Sequence, residues 1–186
     1  MTIAIIPARG GSVRIPFKNS RRFHGKPILA YSIEAAKASG LFERIVVSTD
    51  DAIIGTYAQW YGAEVHKRAY DDGSKGTQAV TADVLRDVAW TRCEYACCIY
   101  PCAPLMLPED LCAGVDALRD VPYVYTIGPD GVDAGQWYWG TVKAFVKGVP
   151  LDQAAFYMLP ATRVCDINTM DDWNRAERLY EEMRTL

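Results

Sequence analysis

Short apolar runs alternate along this chain with segments of helical period, and few folds accommodate that alternation. Ile3–Pro7 and Arg44–Thr49 are continuous and rich in β-branched residues, as strands buried on both faces of a parallel sheet must be. Ala63–His66 and Tyr95–Tyr100 read as further strands, followed by Val121–Ile127 and Gln136–Val142. Between them the pattern predicts a helix from about Pro27, with proline at the first helical position, to Ser39-Gly40. A second helix starts from a cap at Thr49 or Asp50 and ends near Tyr61-Gly62. Gly76–Trp90 carries a stripe of Val80, Val84, Leu85 and Val88, and Pro108–Leu118 places Glu109 and Asp110 in a first turn, where acids suit the helix dipole. The last helix opens on the capping box Thr169-Met170-Asp171-Asp172 and buries Trp173, Ala176, Leu179 and Met183. Strands alternating with helices imply an α/β fold with a mostly parallel sheet covered on both faces. With 186 residues and no linker or repeat, a single domain over 1–186 is expected.

Composition excludes several classes of function. A net charge of −3 offers no footprint for nucleic acid or an anionic membrane. No apolar run approaches the roughly 20 residues of a membrane span, and the N-terminus lacks a signal peptide's basic start, so a cytoplasmic protein is expected. The six cysteines show no paired C-x2-C knuckles, and Cys97-Cys98 sit in an apolar run as small core residues. His24 and His66 have no visible partners. Asp71-Asp72 reads as a solvated turn rather than a metal site, though carboxylates near the basic loop keep the second reading open, and Glu181-Glu182 reads as a solvated helix face. Trp137 and Trp139 alternate as strand residues do, leaving one face to line a pocket.

The charge distribution is more telling than its sum. From Ala8 to Lys26 there are six Lys or Arg residues and no acid, directly after the first strand. Ligands of open α/β sheets bind at the carboxyl ends of strands, so the position suits a small anion. Gly10 and Gly11 let backbone amides approach phosphate, and Arg9, Arg14 and Lys18 can neutralise a triphosphate. Two commoner phosphate motifs fail. There is no G-x-G-x-x-G, and Gly25-Lys26 is followed by Pro27 rather than Ser or Thr.

The segment Ala8-Arg9-Gly10-Gly11-Ser12-Val13-Arg14-Ile15-Pro16-Phe17-Lys18-Asn19 resembles the A-R-G-G-S-K-x-I-P-x-K-N signature of the CMP-sialic acid synthetase family. The likeness continues in order through Gly25–Ala36, Val46–Asp51, Tyr61–Val65 and Tyr100-Pro101-Cys102-Ala103-Pro104. Asp133–Gly140 is similar to the D-A-G-Q-F-Y-W-G of the pseudaminic acid branch, and Asp166–Trp173 to D-I-D-T-x-E-D-W. The resemblance implies a three-layer, Rossmann-like nucleotidyltransferase fold. It also implies a reaction, in which an acidic sugar of the nonulosonic type attacks the α-phosphorus of CTP and pyrophosphate leaves. Carried over by position, Ala8, Arg9, Gly10, Gly11, Ser12, Arg14, Lys18, Asn19, Arg68 and Thr77 hold the nucleotide, with Arg9, Lys18 and Asp166 as catalytic residues. Tyr100, Gln136 and Tyr138 face the sugar, and Asp166 and Asn168 hold magnesium.

This chain also departs from the pattern. Val13 stands in place of the family's lysine, so Arg14 must compensate. Asn168 replaces an aspartate and brings an oxygen without charge, and Cys102 replaces a threonine hydroxyl donor. Where the family inserts a long acceptor-binding and dimerisation segment, only the turn Gly128-Pro129-Asp130-Gly131-Val132 remains. A monomer, or a dimer through another surface, is therefore expected. The departures leave two alternatives beside transfer to a nonulosonic acid: transfer to a smaller sugar or sugar phosphate, and a catalytically degenerate nucleotide-binding protein.

Overall fold

A computed structural model describes residues 1–88, 93–148 and 153–185. Its strands are β1 (Thr2–Pro7), β2 (Arg22–Phe23), β3 (Lys26–Pro27), β4 (Arg44–Thr49), β5 (Glu64–Lys67), β6 (Tyr95–Ile99), β7 (Tyr123–Ile127), β8 (Asp133–Thr141) and β9 (Ala155–Met158). The helices are α1 (Ile28–Ala38), α2 (Ala52–Trp60), α3 (Thr77–Val88), α4 (Pro108–Ala117), α5 (Val142–Lys147) and α6 (Met170–Thr185). Seven strands form one sheet in the order β5-β4-β1-β6-β8-β7-β9, while β2 and β3 make a separate short hairpin. β1, β4, β5 and β6 pair in parallel, β8 runs antiparallel to both its neighbours, and β9 pairs parallel to β7.

The period of two along β1 divides the core. Ala4 and Ile6 face the cluster beneath α1, α2 and α4, and Ile3 and Ile5 face the one beneath α3 and α5. A third cluster joins Ile15 of the glycine-rich loop to Cys102, Ile167 and the α6 residues Trp173 and Ala176. That cluster holds the basic loop and the Asp166–Asn168 segment side by side, although Arg14 and Asn168 are 154 residues apart in the chain.

Several boundaries correct the sequence reading. Pro27 is the N-cap of α1 rather than its first residue. The cap of α2 is Asp51, whose Oδ1 accepts the Ile53 and Ile54 N–H groups at 2.7 and 3.0 Å, leaving Asp50 free to turn elsewhere. Trp90, the expected end of α3, lies outside the described residues. The two-residue hairpin, α5 and β9 carry no clear period and had no sequence expectation. Trp137 and Trp139 line no pocket: both are fully buried, and Trp139 Nε1 donates to the Leu111 carbonyl at 3.1 Å. They abut Gly114 of α4, where an added Cβ would come within 2.5 Å of each ring, so only glycine fits. The capping box forms as expected, with Thr169 N–H donating to Asp172 Oδ2 at 2.8 Å and Asp172 N–H to Thr169 Oγ1 at 3.2 Å. Among the described residues no helix is long and apolar enough to cross a membrane.

Candidate functional site

A cavity of about 420 Å³ opens at the carboxyl ends of β1, β5 and β6. Its wall contains Arg9, Ser12, Arg14, Lys18, Asn19, Arg68, Thr77, Tyr100 and Asn168, so most of the sequence-derived candidates converge there. It also contains Asp71 and Lys75, which the sequence reading left out.

The bases fall into two groups. Arg68 is ion-paired with Asp71, and Lys75 with Asp83. Arg9, Arg14 and Lys18 instead donate to neutral oxygens. Arg9 Nη1 reaches the Asp72 carbonyl at 2.9 Å, Arg14 Nη2 reaches Asn168 Oδ1 at 2.7 Å, and Lys18 Nζ reaches the Ile167 carbonyl at 2.7 Å. Each side chain is thereby held in place by a neutral acceptor, and none of the three forms an ion pair among the described residues. An anion entering the cavity meets positive charge that is already positioned.

The loop that carries these bases is braced from three sides. Asn19 is buried, donates through Nδ2 to the Arg9 carbonyl at 2.8 Å, and accepts from Cys102 Sγ at 3.0 Å. Burial pushes the Cys102 thiol up to about 12, so it stays protonated and serves as the donor that the lost threonine hydroxyl would have been. Ala8 is fully buried and continues the ladder to the Ser48 carbonyl at 2.9 Å, so it shapes the loop from within the core. Asp50 makes the third brace. Its Oδ1 accepts the Gly10 N–H at 2.8 Å and its Oδ2 the Asp71 N–H at 3.1 Å, tying the loop to the opposite wall.

This brace changes the roles of the two glycines. The Gly10 amide is already spent on Asp50, and an added Cβ there would lie 2.7 Å from Asp51 Oδ2. Gly10 is thus glycine because an acidic corner packs against it, whereas a Cβ at Gly11 would meet only ordinary contacts, with Tyr70 at 3.8 Å and the Asp71 carbonyl at 3.9 Å. Asp71 is no solvated turn. Burial works to raise its pKa, yet the Arg68 guanidinium and the Gly73 N–H hold the carboxyl below its usual range. The brace at Asp50 escaped the sequence reading because the Gly10 and Asp71 amides that it accepts lie 40 and 21 residues away in the chain.

A second cavity, of about 460 Å³, shares Gly76, Thr77 and Tyr100 with the first and extends to Tyr123, Tyr125, Asp133 and Tyr138. Its hydroxyls are networked: Tyr138 O–H donates to Asp133 Oδ2 at 2.6 Å, Gln78 Nε2 donates to the Tyr123 hydroxyl at 2.9 Å, and the Thr77 and Tyr100 hydroxyls lie 3.3 Å apart. Burial raises the pKa of Tyr100, Tyr123 and Tyr138, so all three present neutral hydroxyls at ordinary pH. Gln136 stands apart. It is 2% exposed, lines neither cavity, and donates to the Arg163 carbonyl.

Asp166 and Asn168 share one face of an extended stretch, with Cys165 and Ile167 buried on the other. Their polar groups are spent on each other and on the loop. Asn168 Nδ2 donates to Asp166 Oδ2 at 2.6 Å while Asn168 Oδ1 receives Arg14. One carboxylate, one amide and a guanidinium sum to no net charge, and no cluster of three or more His, Cys, Asp or Glu suited to a metal occurs among the described residues. These residues do not fit a cation held by the protein alone.

His66 has partners that no sequence period reveals. Its Nδ1 lies 3.1 Å from Ser48 Oγ and its Nε2 3.0 Å from Asp87 Oδ2, an order reminiscent of a hydrolytic triad. Ser48 is fully buried, so no substrate reaches its hydroxyl, and the array ties α3 to β4 and β5.

Comparison with known proteins follows the same lines. The sequence profile described as "Cytidylyltransferase" matches residues 3–146. The pseudaminic acid cytidylyltransferase of Campylobacter jejuni is 33% identical, with 96% of each chain covered. That alignment spans 223 residues against the 186 of this chain, so the relative carries stretches that are missing here. The CMP:2-keto-3-deoxy-manno-octonic acid synthetase, solved in complex with CTP, superposes with a TM-score of 0.77 at 15% identity, covering 98% of this chain and 99% of its own. Rv0371c of Mycobacterium tuberculosis H37Rv, solved with manganese, gives 0.74 at 15% identity and 97% coverage of both chains. At such identities the two structures establish a shared fold.

Proposed function

Given that the chain belongs to the cytidylyltransferase family, we propose that it transfers CMP from CTP to the anomeric hydroxyl of a nonulosonic acid, releasing pyrophosphate. One observation carries this reading. Arg9, Arg14 and Lys18 are held by neutral oxygens on the wall of a cavity that shares Thr77 and Tyr100 with a second cavity, lined by neutral tyrosine hydroxyls and the Asp133 carboxylate.

In the reaction an oxygen–phosphorus bond forms from the sugar hydroxyl to the α-phosphorus, the bond to the bridging oxygen of pyrophosphate breaks, and the hydroxyl proton is released. Negative charge builds on the departing phosphates. The three bases stabilise that charge because they are already oriented and need no rearrangement. Arg68 stays fixed by Asp71 at the side of the cavity that leads to Thr77, where it suits the nucleoside end. Tyr100 and Tyr138 offer hydroxyls to the sugar, and holding both reactants in joined cavities supplies the proximity that a two-substrate transfer requires. Magnesium, in this reading, is bound chiefly by the triphosphate oxygens, as magnesium at phosphate sites commonly is.

The test is pyrophosphate release with each of the four nucleoside triphosphates against a panel of nonulosonic acids, neutral sugars and sugar phosphates. The expected outcome is release with CTP and a nonulosonic acid only. Release with a smaller sugar at equal rate would reassign the acceptor. CTP binding without release on any acceptor would leave a nucleotide-binding protein in place of an enzyme.

A further inference from the structure

Five bases line the basic cavity, and the two that are paired with acids differ in what they would leave behind. The side chains of Arg68 and Asp71 are 13% and 9% exposed, and Asp71 has no second cation in ion-pair range among the described residues. Taking Arg68 away would strand a carboxylate shielded from water, so that pair is fixed. The side chains of Lys75 and Asp83 are 48% and 39% exposed, and Asp83 holds a second cation. Lys75 meets its Oδ2, while Arg86 Nη1 donates to its Oδ1 at 2.9 Å. Arg86 is itself anchored, its Nη2 donating to the Val146 carbonyl at 3.2 Å. Lys75 first, and Arg86 behind it, hold the Asp83 carboxyl below its usual range.

We infer that Lys75 is the base that moves: it leaves Asp83 when a polyphosphate enters the cavity and becomes a further ligand of that polyphosphate, while Arg86 keeps Asp83 neutralised. The exchange is favourable because an exposed ion pair contributes little, whereas a charged hydrogen bond to phosphate is among the stronger ones. The geometry permits it. Lys75 lines both the basic cavity and a neighbouring one that contains Asp83 and Arg86, so a rotation of its stem carries the ammonium from one to the other. It lies outside any helix or strand, between Gly73 and Gly76 and just before α3. Gly73 adopts φ +91° and packs so closely on the Arg9 guanidinium that a Cβ there would collide with it, which sets this turn beside the phosphate bases. At Gly76 a Cβ would meet no atom within 4 Å, so the far end of the turn has room.

The inference rests on the basic cavity being the phosphate site of the proposed reaction, and two probes separate the claims. Calorimetry follows magnesium tripolyphosphate, which has no nucleoside, and magnesium CTP, at constant pH and ionic strength. The proteins are the parent, Lys75→Met, Asp83→Asn and the double variant, each checked for folding by circular dichroism. Lys75→Met should weaken both anions by about fivefold. Asp83→Asn frees Lys75 from its competing partner and should tighten both by about threefold. In the Lys75→Met background the same Asp83→Asn change should have little effect, since no lysine remains to be freed. Lys75→Arg should retain most of the parent affinity. Parent affinity in Lys75→Met would overturn the inference. So would weaker binding by Asp83→Asn, because the pair would then be holding the turn rather than competing with the ligand. A gain from Asp83→Asn that survives in the double variant would overturn it too, because the carboxylate would be acting through its field alone. A parent that binds tripolyphosphate but not CTP would count against the proposed reaction, and the tripolyphosphate comparison would still decide the role of Lys75. A parent that binds neither anion would overturn both.

Discussion

The molecule contains two half-hidden arginine–aspartate pairs of similar burial that serve opposite ends. Arg68–Asp71 lies on the wall of the basic cavity, and Arg163–Asp110 lies between α4 and the segment after β9. In the first, Asp71 is also bonded to Asp50 and Gly73, so the pair is one node of a brace around a ligand-sized space. In the second, Asp110 accepts the Leu107 N–H at 3.0 Å as part of its helix cap, and the Arg163 carbonyl accepts from the buried Gln136. Gln136 lines neither of the two cavities described above. Similar chemistry thus orders a site in one region and closes the fold in the other. Contact geometry alone does not separate these roles, whereas the surroundings do.

The largest effect expected from this contrast is on the structural pair. Arg163→Met leaves the Asp110 carboxylate, 2% exposed, without its counter-charge, and should cost about 3–5 kcal/mol of stability. Denaturant melts measure that loss, while the folded fraction should bind CTP as the parent does. A melt unchanged within error, or a selective loss of CTP binding, would break the distinction between the two pairs.

A smaller effect, in the opposite currency, is expected at Asp50. Asp50→Ala frees the Gly10 and Asp71 amides, which can find water at this partly exposed site, so stability should fall by only about 1–2 kcal/mol. The loop and the Arg68 wall would no longer be tied together, and CTP affinity should drop several-fold. Asp50→Asn keeps an acceptor for one amide and should recover part of that affinity. Equal CTP binding in both variants would show that the brace serves the fold alone.

How much of this was legible in the sequence follows from the kind of signal each element leaves. The strands β1 and β4 and the basic loop announce themselves locally, through continuous apolar runs and an acid-free cluster of bases. The cavity candidates Arg9 and Lys18 stood out as bases of that loop, Arg68 and Thr77 came from the family resemblance, and the structure brings all four onto one wall. Asp50, Asp71 and the Ser48–His66–Asp87 array were hidden because their partners lie 18 to 40 residues away, across strand crossovers that no local period encodes. Gln136 and the two tryptophans of β8 were misjudged for a related reason. Alternation along a strand tells which side chains share a face, but not that β8 is covered on both faces, by α4 on one and by α3 and α5 on the other. Asn168 was visible as a departure from a pattern. That its amide joins Asp166 to Arg14 required coordinates.

The central claim is that three bases held by neutral acceptors bind the nucleotide, and calorimetric titration of CTP tests it most directly. Arg9→Ala and Lys18→Ala remove side chains tied only to neutral carbonyls, so neither leaves a buried acid unpaired and the fold should persist. Each should weaken CTP by about 1.5–3 kcal/mol, the worth of a charged hydrogen bond, which is at least tenfold in affinity. Parent affinity retained in both variants would contradict the account and remove the glycine-rich loop from the site.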